Sequence, residues 1–252
     1  MSEGESESDG EGGLTKIKGV ELEKKGEVVD LTITDKKVFN ISKLPSGIIL
    51  QCILKRTSSL LTSEFDLYLT NGLRHVVSAK KYPFRNRELF KFSMDPVRWD
   101  DKNTLAIMHA NANHNIYWLL DPPRRIGVTD FSYVLGVVGY YRIAKNLPQR
   151  KFTAILPPTN QQQQYELALD YDLSSINFNE IVEEMKTTVS NLQEDHQSSS
   201  KNFALADDED KEYKYLEMRK ESENVFHLTI QHPLSPLQAM AIAMTRFDAQ
   251  LK

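Results

Sequence analysis

Residues 226–252 read FHLTIQHPLSPLQAMAIAMTRFDAQLK and decide the fold. The first residues of this stretch alternate between apolar and polar, which predicts a β-strand. Ser235 is a preferred residue before a helix, and Pro236 suits the first helical position because its missing N–H costs nothing there. The following LQAMAIAMTRF is almost wholly apolar, so the helix has no polar face and must be surrounded by other atoms of the protein. We therefore predict a buried helix over residues 236–250, too short to cross a bilayer, which needs about 20 residues.

The body of the chain reads as many short strands separated by turns. Asn71 and Gly72 lie between two alternating runs, the strongest short-range signal for a hairpin with a two-residue turn. Strands are expected at residues 28–34, 47–55, 65–69, 73–79, 89–94, 104–108, 115–120, 133–143, 151–156, 165–171, 213–219 and 225–230. This pattern favours a mainly β fold, an antiparallel barrel or sandwich, with the apolar helix inside.

Two segments differ from this pattern. Residues 1–13 carry five acidic side chains and no basic one, and we expect them to form a disordered acidic tail. The net charge of −4 therefore leaves the rest of the chain close to neutral. Residues 177–193 have apolar side chains at helical spacing and predict a helix.

Composition excludes several classes of function. The chain has 252 residues, of which 40% are hydrophobic and 26% charged, as in ordinary globular proteins. The single cysteine, Cys52, excludes an internal disulfide and fits a reducing compartment, and we expect no signal peptide. The pair His109 and His114 lacks acidic or cysteine neighbours, so we expect no metal site. No nucleophile, base and acid can be assembled from motifs, and we expect neither an enzyme nor a cofactor.

The positive signal is a basic segment that follows the predicted hairpin. It contains Lys80, Lys81, Arg85 and Arg87, with two aromatic residues between them. Clustered cations attract an anionic membrane surface by about 1 kcal/mol each, and convergent cations bind a phosphorylated inositol through charge-assisted hydrogen bonds. A solvated charged loop is the plain alternative. Nucleic acid is a weaker one, because the chain has neither an overall basic excess nor a recognition helix.

Several of these motifs together resemble the tubby-like protein family. The C-terminal matches are HPL at 232–234, LQA at 237–239, AIA at 241–243 and FD at 247–248. Further matches are KK at 80–81, FSMDP at 92–96, YWLLD at 117–121, QRKFTAILP at 149–157 and SKNF at 200–203. The resemblance implies a closed antiparallel β-barrel around a buried C-terminal hydrophobic helix. It implies a tubby-like domain at residues 44–252, after a lead-in segment at 14–43. Residues 160–200 diverge from the family, and either its strands are present there in unrecognisable form or a helix over 177–192 replaces them.

The resemblance also implies a phosphoinositide site. The family binds phosphatidylinositol 4,5-bisphosphate with basic residues that match Lys80 and Lys81, and the family's Arg-Ser-Asn element corresponds to His109-Ala110-Asn111. Three family basic positions are replaced here by Tyr82, Pro83 and Phe84, so Arg85 and Arg87 are the candidates to compensate.

The implied function is that of a membrane adaptor. The resemblance implies reversible binding to a phosphoinositide head group at the cytoplasmic membrane face and a role in trafficking membrane-protein cargo, including with intraflagellar transport complexes to cilia. We expect a cytoplasmic protein peripheral to the plasma membrane, with cilium and nucleus as further locations. Two alternatives stay open: a protein-interaction barrel whose lipid site has decayed, and a nuclear transcriptional regulator.

Overall fold

The computed structural model confirms a mainly β protein with a C-terminal helix. It describes residues 17–25, 28–82, 88–126, 129–142, 150–157, 168–170, 190–193, 199, 201–206 and 210–248. The helices are α1 (Lys36–Ile41) and α2 (Pro236–Asp248). The strands are β1 (Val20–Lys25), β2 (Val28–Ile33), β3 (Ile49–Ser58), β4 (Ser63–Leu69), β5 (His75–Lys81), β6 (Glu88–Ser93), β7 (Thr104–Ala110), β8 (Ile116–Leu120), β9 (Arg124–Ile126), β10 (Thr129–Arg142), β11 (Arg150–Ile155), β12 (Ala168–Asp170), β13 (Ser190–Gln193), β14 (Phe203–Ala206), β15 (Lys214–Lys220) and β16 (Val225–Gln231).

The strands form one large antiparallel sheet and one small hairpin. Within the described residues, β1 and β2 pair only with each other, while the other fourteen strands belong to the main sheet. Its order is β11-β13-β14-β15-β16-β3-β4-β5-β6-β7-β8-β10-β12, with β9 paired to β10. The long strand β10 pairs with β8 and also with β11, the strand at the opposite end of this order.

α2 is buried along nearly its whole length, as the sequence predicts. Its start is a capping box: Gln238 N–H donates to Ser235 Oγ, and Ser235 N–H donates to Gln238 Oε1. The polar side chains inside the core are satisfied as well. Gln238 Nε2 donates to the carbonyl oxygen of Leu135 (2.6 Å), and the Thr245 hydroxyl lies 2.8 Å from Tyr140 OH. Because these buried polar side chains keep hydrogen-bond partners, the helix can lie within the hydrophobic core without a loss of hydrogen bonds.

Two details of the sequence prediction were wrong. The hairpin of β4 and β5 exists, but its loop is longer than two residues, because Leu69 N–H donates to the carbonyl oxygen of Arg74. Positive φ falls on Gly72 and Leu73, not on Asn71 and Gly72. The helix expected over 177–193 does not extend through its last four residues, which form β13. Pairing with β11 and β14 overrides their local helical spacing. The rest of that stretch, 177–189, lies outside the described residues.

Candidate functional site

Lys80 and Lys91 lie side by side on the outer face of the main sheet. Lys80 in β5 is paired directly with Lys91 in β6. The preceding pair, Ala79 with Phe92, is fully buried in the core, so the alternation of side chains directs the two lysines to the opposite face. Like charges directly opposite each other destabilise a sheet, and this pair therefore requires compensating negative charge.

Two carboxylates and an aromatic ring surround this lysine pair. Glu64 Oε1 lies 2.7 Å from Lys80 Nζ, and Asp101 Oδ1 lies 3.6 Å from Lys91 Nζ. The centroid of the Trp99 ring is 5.6 Å from Lys80 Nζ, which adds a cation–π contact. The Asp101 side chain is fully exposed, and ion pairs of that kind contribute little to stability. An anion with better geometry can therefore replace it.

Lys81 points the other way, into the end of the core. Its Nζ lies 2.6 Å from Asp248 Oδ1, at the last residue of α2, and 5.9 Å from the centroid of the Phe90 ring. The other carboxylate oxygen, Oδ2, lies 2.6 Å from His114 Nδ1 and accepts a hydrogen bond from Tyr117 OH at 3.1 Å. The structure thus does not bring Lys80 and Lys81 to one face.

The Asp248 carboxyl is stabilised in its charged form. Burial by itself raises the pKa of Asp248, but hydrogen bonds from Lys81 and His114, together with their charges, lower this pKa to a net value below the usual one. A carboxylate at the C-terminus of a helix is disfavoured by the helix dipole, and Lys81 compensates for it. Asp248 therefore fixes the end of α2 to β5 and to the loop that carries His114.

Three more cations lie near this end of α2. Arg56 and Lys201 both contact the Phe247 ring, at 5.8 Å and 5.3 Å from its centroid, and Lys201 Nζ donates to the carbonyl oxygen of Arg246. Burial, followed by the charges of Arg246, Arg56 and Lys81, lowers the pKa of Lys201 to about 8. Cations near the last carbonyls of a helix are favourable, so these side chains stabilise the helix terminus.

The remaining predicted site residues divide between the sheet and a loop. His109 in β7 faces outward, two residues after Ile107, the partner of Lys91, but only 2% of its surface is exposed. The Asn111 side chain accepts hydrogen bonds from the backbone N–H groups of Asn115 and Ile116, and so builds the β7–β8 loop. Arg85 and Arg87 lie outside the described residues.

Lys91 is the residue that sequence reasoning missed. It was visible as one of several cations after the hairpin, without a role of its own. The signal that identifies it is the register of β5 and β6, which pairs it with Lys80. Register depends on how two strands pair, and it cannot be inferred here from the sequence of the strands and of the loop between them.

Other kinds of site find no support in the described part of the chain. There, no cluster of three or more His, Cys, Asp and Glu side chains could hold a metal ion. Nor is any helix of that part both long and apolar enough to cross a membrane.

Comparison with known proteins agrees with the resemblance noted in the sequence. Residues 175–249 match the Tub family. The protein king tubby of Drosophila sechellia and that of Drosophila grimshawi are each 42% identical over 55 residues, which cover 22% of this chain and 12% of theirs. The match begins inside the segment 160–200, for which the sequence motifs gave no counterpart.

These findings support a tubby-like family protein. The family is not an enzyme family. The chain spans only 12% of the length of the curated relatives it matches. The match supports a tubby-like role in general.

Proposed function

We propose that this protein binds a phosphoinositide head group of the phosphatidylinositol 4,5-bisphosphate type at the cytoplasmic face of a membrane. The observation that carries the proposal is the direct pairing of Lys80 with Lys91 on the outer face. Family membership supports a tubby-like role in general. A multiply charged phosphate placed between two lysines relieves their repulsion and gains charge-assisted hydrogen bonds from both.

The carboxylates near the lysines make this site adjustable. Glu64 and Asp101 hold Lys80 and Lys91 in position when no ligand is bound. The Lys91–Asp101 distance of 3.6 Å exceeds that of a good hydrogen bond, so this contact is readily exchanged for a phosphate oxygen. Such exchange favours reversible binding, which an adaptor that captures and releases cargo requires.

The cellular role is part of the same proposal. A phosphoinositide-binding tubby-like protein serves as an adaptor in trafficking membrane proteins, with cilia as one destination and intraflagellar transport complexes as partners. It would lie in the cytoplasm, peripheral to the plasma membrane.

Sedimentation with liposomes tests the binding proposal. Vesicles with phosphatidylinositol 4,5-bisphosphate are compared with phosphatidylserine vesicles of equal total charge. We expect Lys80→Ala/Lys91→Ala to weaken the selective pelleting by roughly tenfold or more, since two charged contacts are lost. The control variant Lys37→Ala/Lys211→Ala removes the same charge from two exposed positions outside the lysine pair.

Two results would contradict the proposal. Equal loss in both double variants would mean that only net charge matters. Absence of wild-type binding to either vesicle would favour the alternative of a protein-interaction barrel with a decayed lipid site. The buried position of His109, where the family has an arginine in its Arg-Ser-Asn element, is the observation that favours this alternative.

We further propose that the main sheet closes into a barrel around α2. β10 pairs with β8 along one edge and with β11 along the other, which joins the first strand of the order to the next-to-last one. In support, Phe247 of α2 contacts Phe65 in β4 and Phe226 in β16. A cysteine pair at Val138 and Ala154, directly opposite across β10 and β11, should form a disulfide on mild oxidation. Failure to cross-link in a folded variant would contradict closure.

A further inference from the structure

The β3–β4 hairpin ends in two leucines that nothing in the described part of the chain covers. Leu60 and Leu61 lie at its tip, between Ser59 and Thr62, and their exposed fractions are 104% and 67%. Scattered exposed apolar residues are common and need no explanation. Two adjacent leucines at the tip of a hairpin are different, because together they form an apolar projection at one end of the sheet.

Ser59 and Thr62 satisfy part of the polar groups at the hairpin tip by bonding to each other. Ser59 N–H donates to the carbonyl oxygen of Thr62 at 2.8 Å. Thr62 N–H donates to Ser59 Oγ, and the two hydroxyls lie 2.9 Å apart. Polar backbone groups left unpaired are costly in lipid, so this internal bonding lowers the cost of entering an apolar phase.

The tip projects from the same end of the sheet as the candidate head-group site. Strand pairing places Ser63 opposite Lys81 and Glu64 opposite Lys80. Leu61 is three residues from Glu64, which at about 3.3 Å per residue sets the tip on the order of 10 Å beyond Lys80. The polar head-group layer of a bilayer is about 5–8 Å deep on each side. A tip touching hydrocarbon therefore leaves Lys80 near the depth of the phosphates.

Charge at this end favours an anionic surface on the side of the lysines. The lysine pair lies on β5 and β6, which follow β4 on one side of β3. The β15–β16 turn, on the other side of β3, carries Glu221 and Glu223 instead. The attraction is thus directional and tilts the hairpin toward the membrane together with the lysine face.

We propose that Leu60 and Leu61 insert into the outer hydrocarbon of an anionic bilayer and anchor the protein while the lysine face contacts head groups. The proposal rests on the membrane binding proposed above. Two leucines on a narrow hairpin are far from the roughly 800 Å² per partner of a stable protein interface. A fluid bilayer, which adapts its shape to the tip, fits them without a matching groove.

A fluorescent label reports insertion directly. In Leu60→Cys, an environment-sensitive dye attaches to the new thiol, since Cys52 is fully buried and burial raises the pKa of its thiol. We expect a blue shift with anionic vesicles and quenching by lipids that carry a quencher in the acyl chain. The control, Val97→Cys, labels a residue that is 81% exposed at the opposite end of the sheet and should show neither change.

A second variant measures what the leucines contribute. Leu60→Ser/Leu61→Ser should weaken vesicle binding roughly tenfold or more, as expected when two leucines lose apolar burial, while Val97→Ser leaves it unchanged. Binding of the soluble head group should stay equal in all three proteins. A label at residue 60 that stays in water while the protein pellets would overturn the inference, as would a blue shift without vesicles, which indicates self-association.

The outcomes separate insertion from phosphoinositide binding. An inserted label with equal pelleting on phosphatidylserine and phosphoinositide vesicles supports insertion and contradicts the proposed ligand. Head-group binding with a label that remains in water supports the ligand and overturns insertion. Failure of the wild type to bind any anionic vesicle overturns insertion as well.

Discussion

Lys80 and Lys81 are neighbours in sequence, yet they belong to two different parts of the molecule. Lys80 lies on the outer face beside Lys91, with Glu64 and Asp101 as carboxylate contacts for the pair. Lys81 is paired with Asp248, whose side chain is only 4% exposed, at the end of the central helix. The difference shows that strand alternation can place one residue of a dipeptide beside a second cation on the outer face and the next in a buried ion pair.

The largest effect is expected from removing the buried carboxylate. Asp248→Ala leaves Lys81 without its carboxylate and removes the hydrogen-bond acceptor of His114 and Tyr117. Breaking a buried pair by deleting one member costs about 3–5 kcal/mol of the free energy of unfolding. Urea unfolding measures this loss. Asp101→Ala, which removes an exposed carboxylate from the outer face, is the matched control and should change stability very little.

A smaller contrast is expected between the two lysines themselves. Lys81→Ala leaves the buried carboxylate with His114 and Tyr117 only, which costs about 1–3 kcal/mol. Lys80→Ala removes a partly exposed ion pair and costs about 0–1 kcal/mol. Thermal and urea unfolding of the two variants measure both values. Equal losses would contradict the division of roles between the two faces.

Strong acid should weaken the pairing of Asp248 with Lys81 and His114. Because the folded pKa of Asp248 lies below its usual value of about 3.9, its contribution is complete above that pH. The contribution is lost as the pH falls through the folded pKa. The difference in free energy of unfolding between the wild type and Asp248→Asn should therefore shrink as the pH falls from 5 to 2. A difference that stays constant over this range would show that the carboxylate pairing contributes nothing.

The smallest effect is expected at alkaline pH. The pKa of Lys201 is lowered to about 8, against an ordinary value of 10.5, so the folded protein loses this proton before the unfolded chain does. The contribution of Lys201 to the free energy of unfolding is therefore fully present above pH 10.5, and it is lost as the pH falls through 8. The wild type should gain up to about 1 kcal/mol over Lys201→Met between pH 8 and 10, since solvent screens part of the effect. Lys211→Met, at an exposed turn, is the control; a similar change there would contradict the assignment to Lys201.

The parts of the fold that follow from local pattern could be predicted from sequence. Ser235 and Pro236 set the start of α2, and the uniform apolar stretch after them set its burial. Alternating residues set most strands to within a few positions. The end of the predicted helix at 190–193 could not be predicted correctly, because its strand form depends on pairing with β11 and β14.

The candidate site was only partly predictable for the same reason. The cations after the hairpin are visible in sequence, but which of them face one another is not. Strand alternation separates Lys80 from Lys81, and the register of β5 with β6 joins Lys80 to Lys91. No local sequence pattern indicates the pairing of Lys81 with Asp248 or the burial of His109.

The sequence alone determined the β-rich class, the buried C-terminal helix and the tubby-like resemblance, because periodicity and capping are local properties of neighbouring residues. Tertiary structure decided which lysine lies on the outer face and which one pairs with the buried carboxylate. It also decided that Leu60 and Leu61 project from the end of the sheet that carries the lysine face. These depend on strand register and on contacts between residues more than 100 positions apart, and no local pattern encodes either.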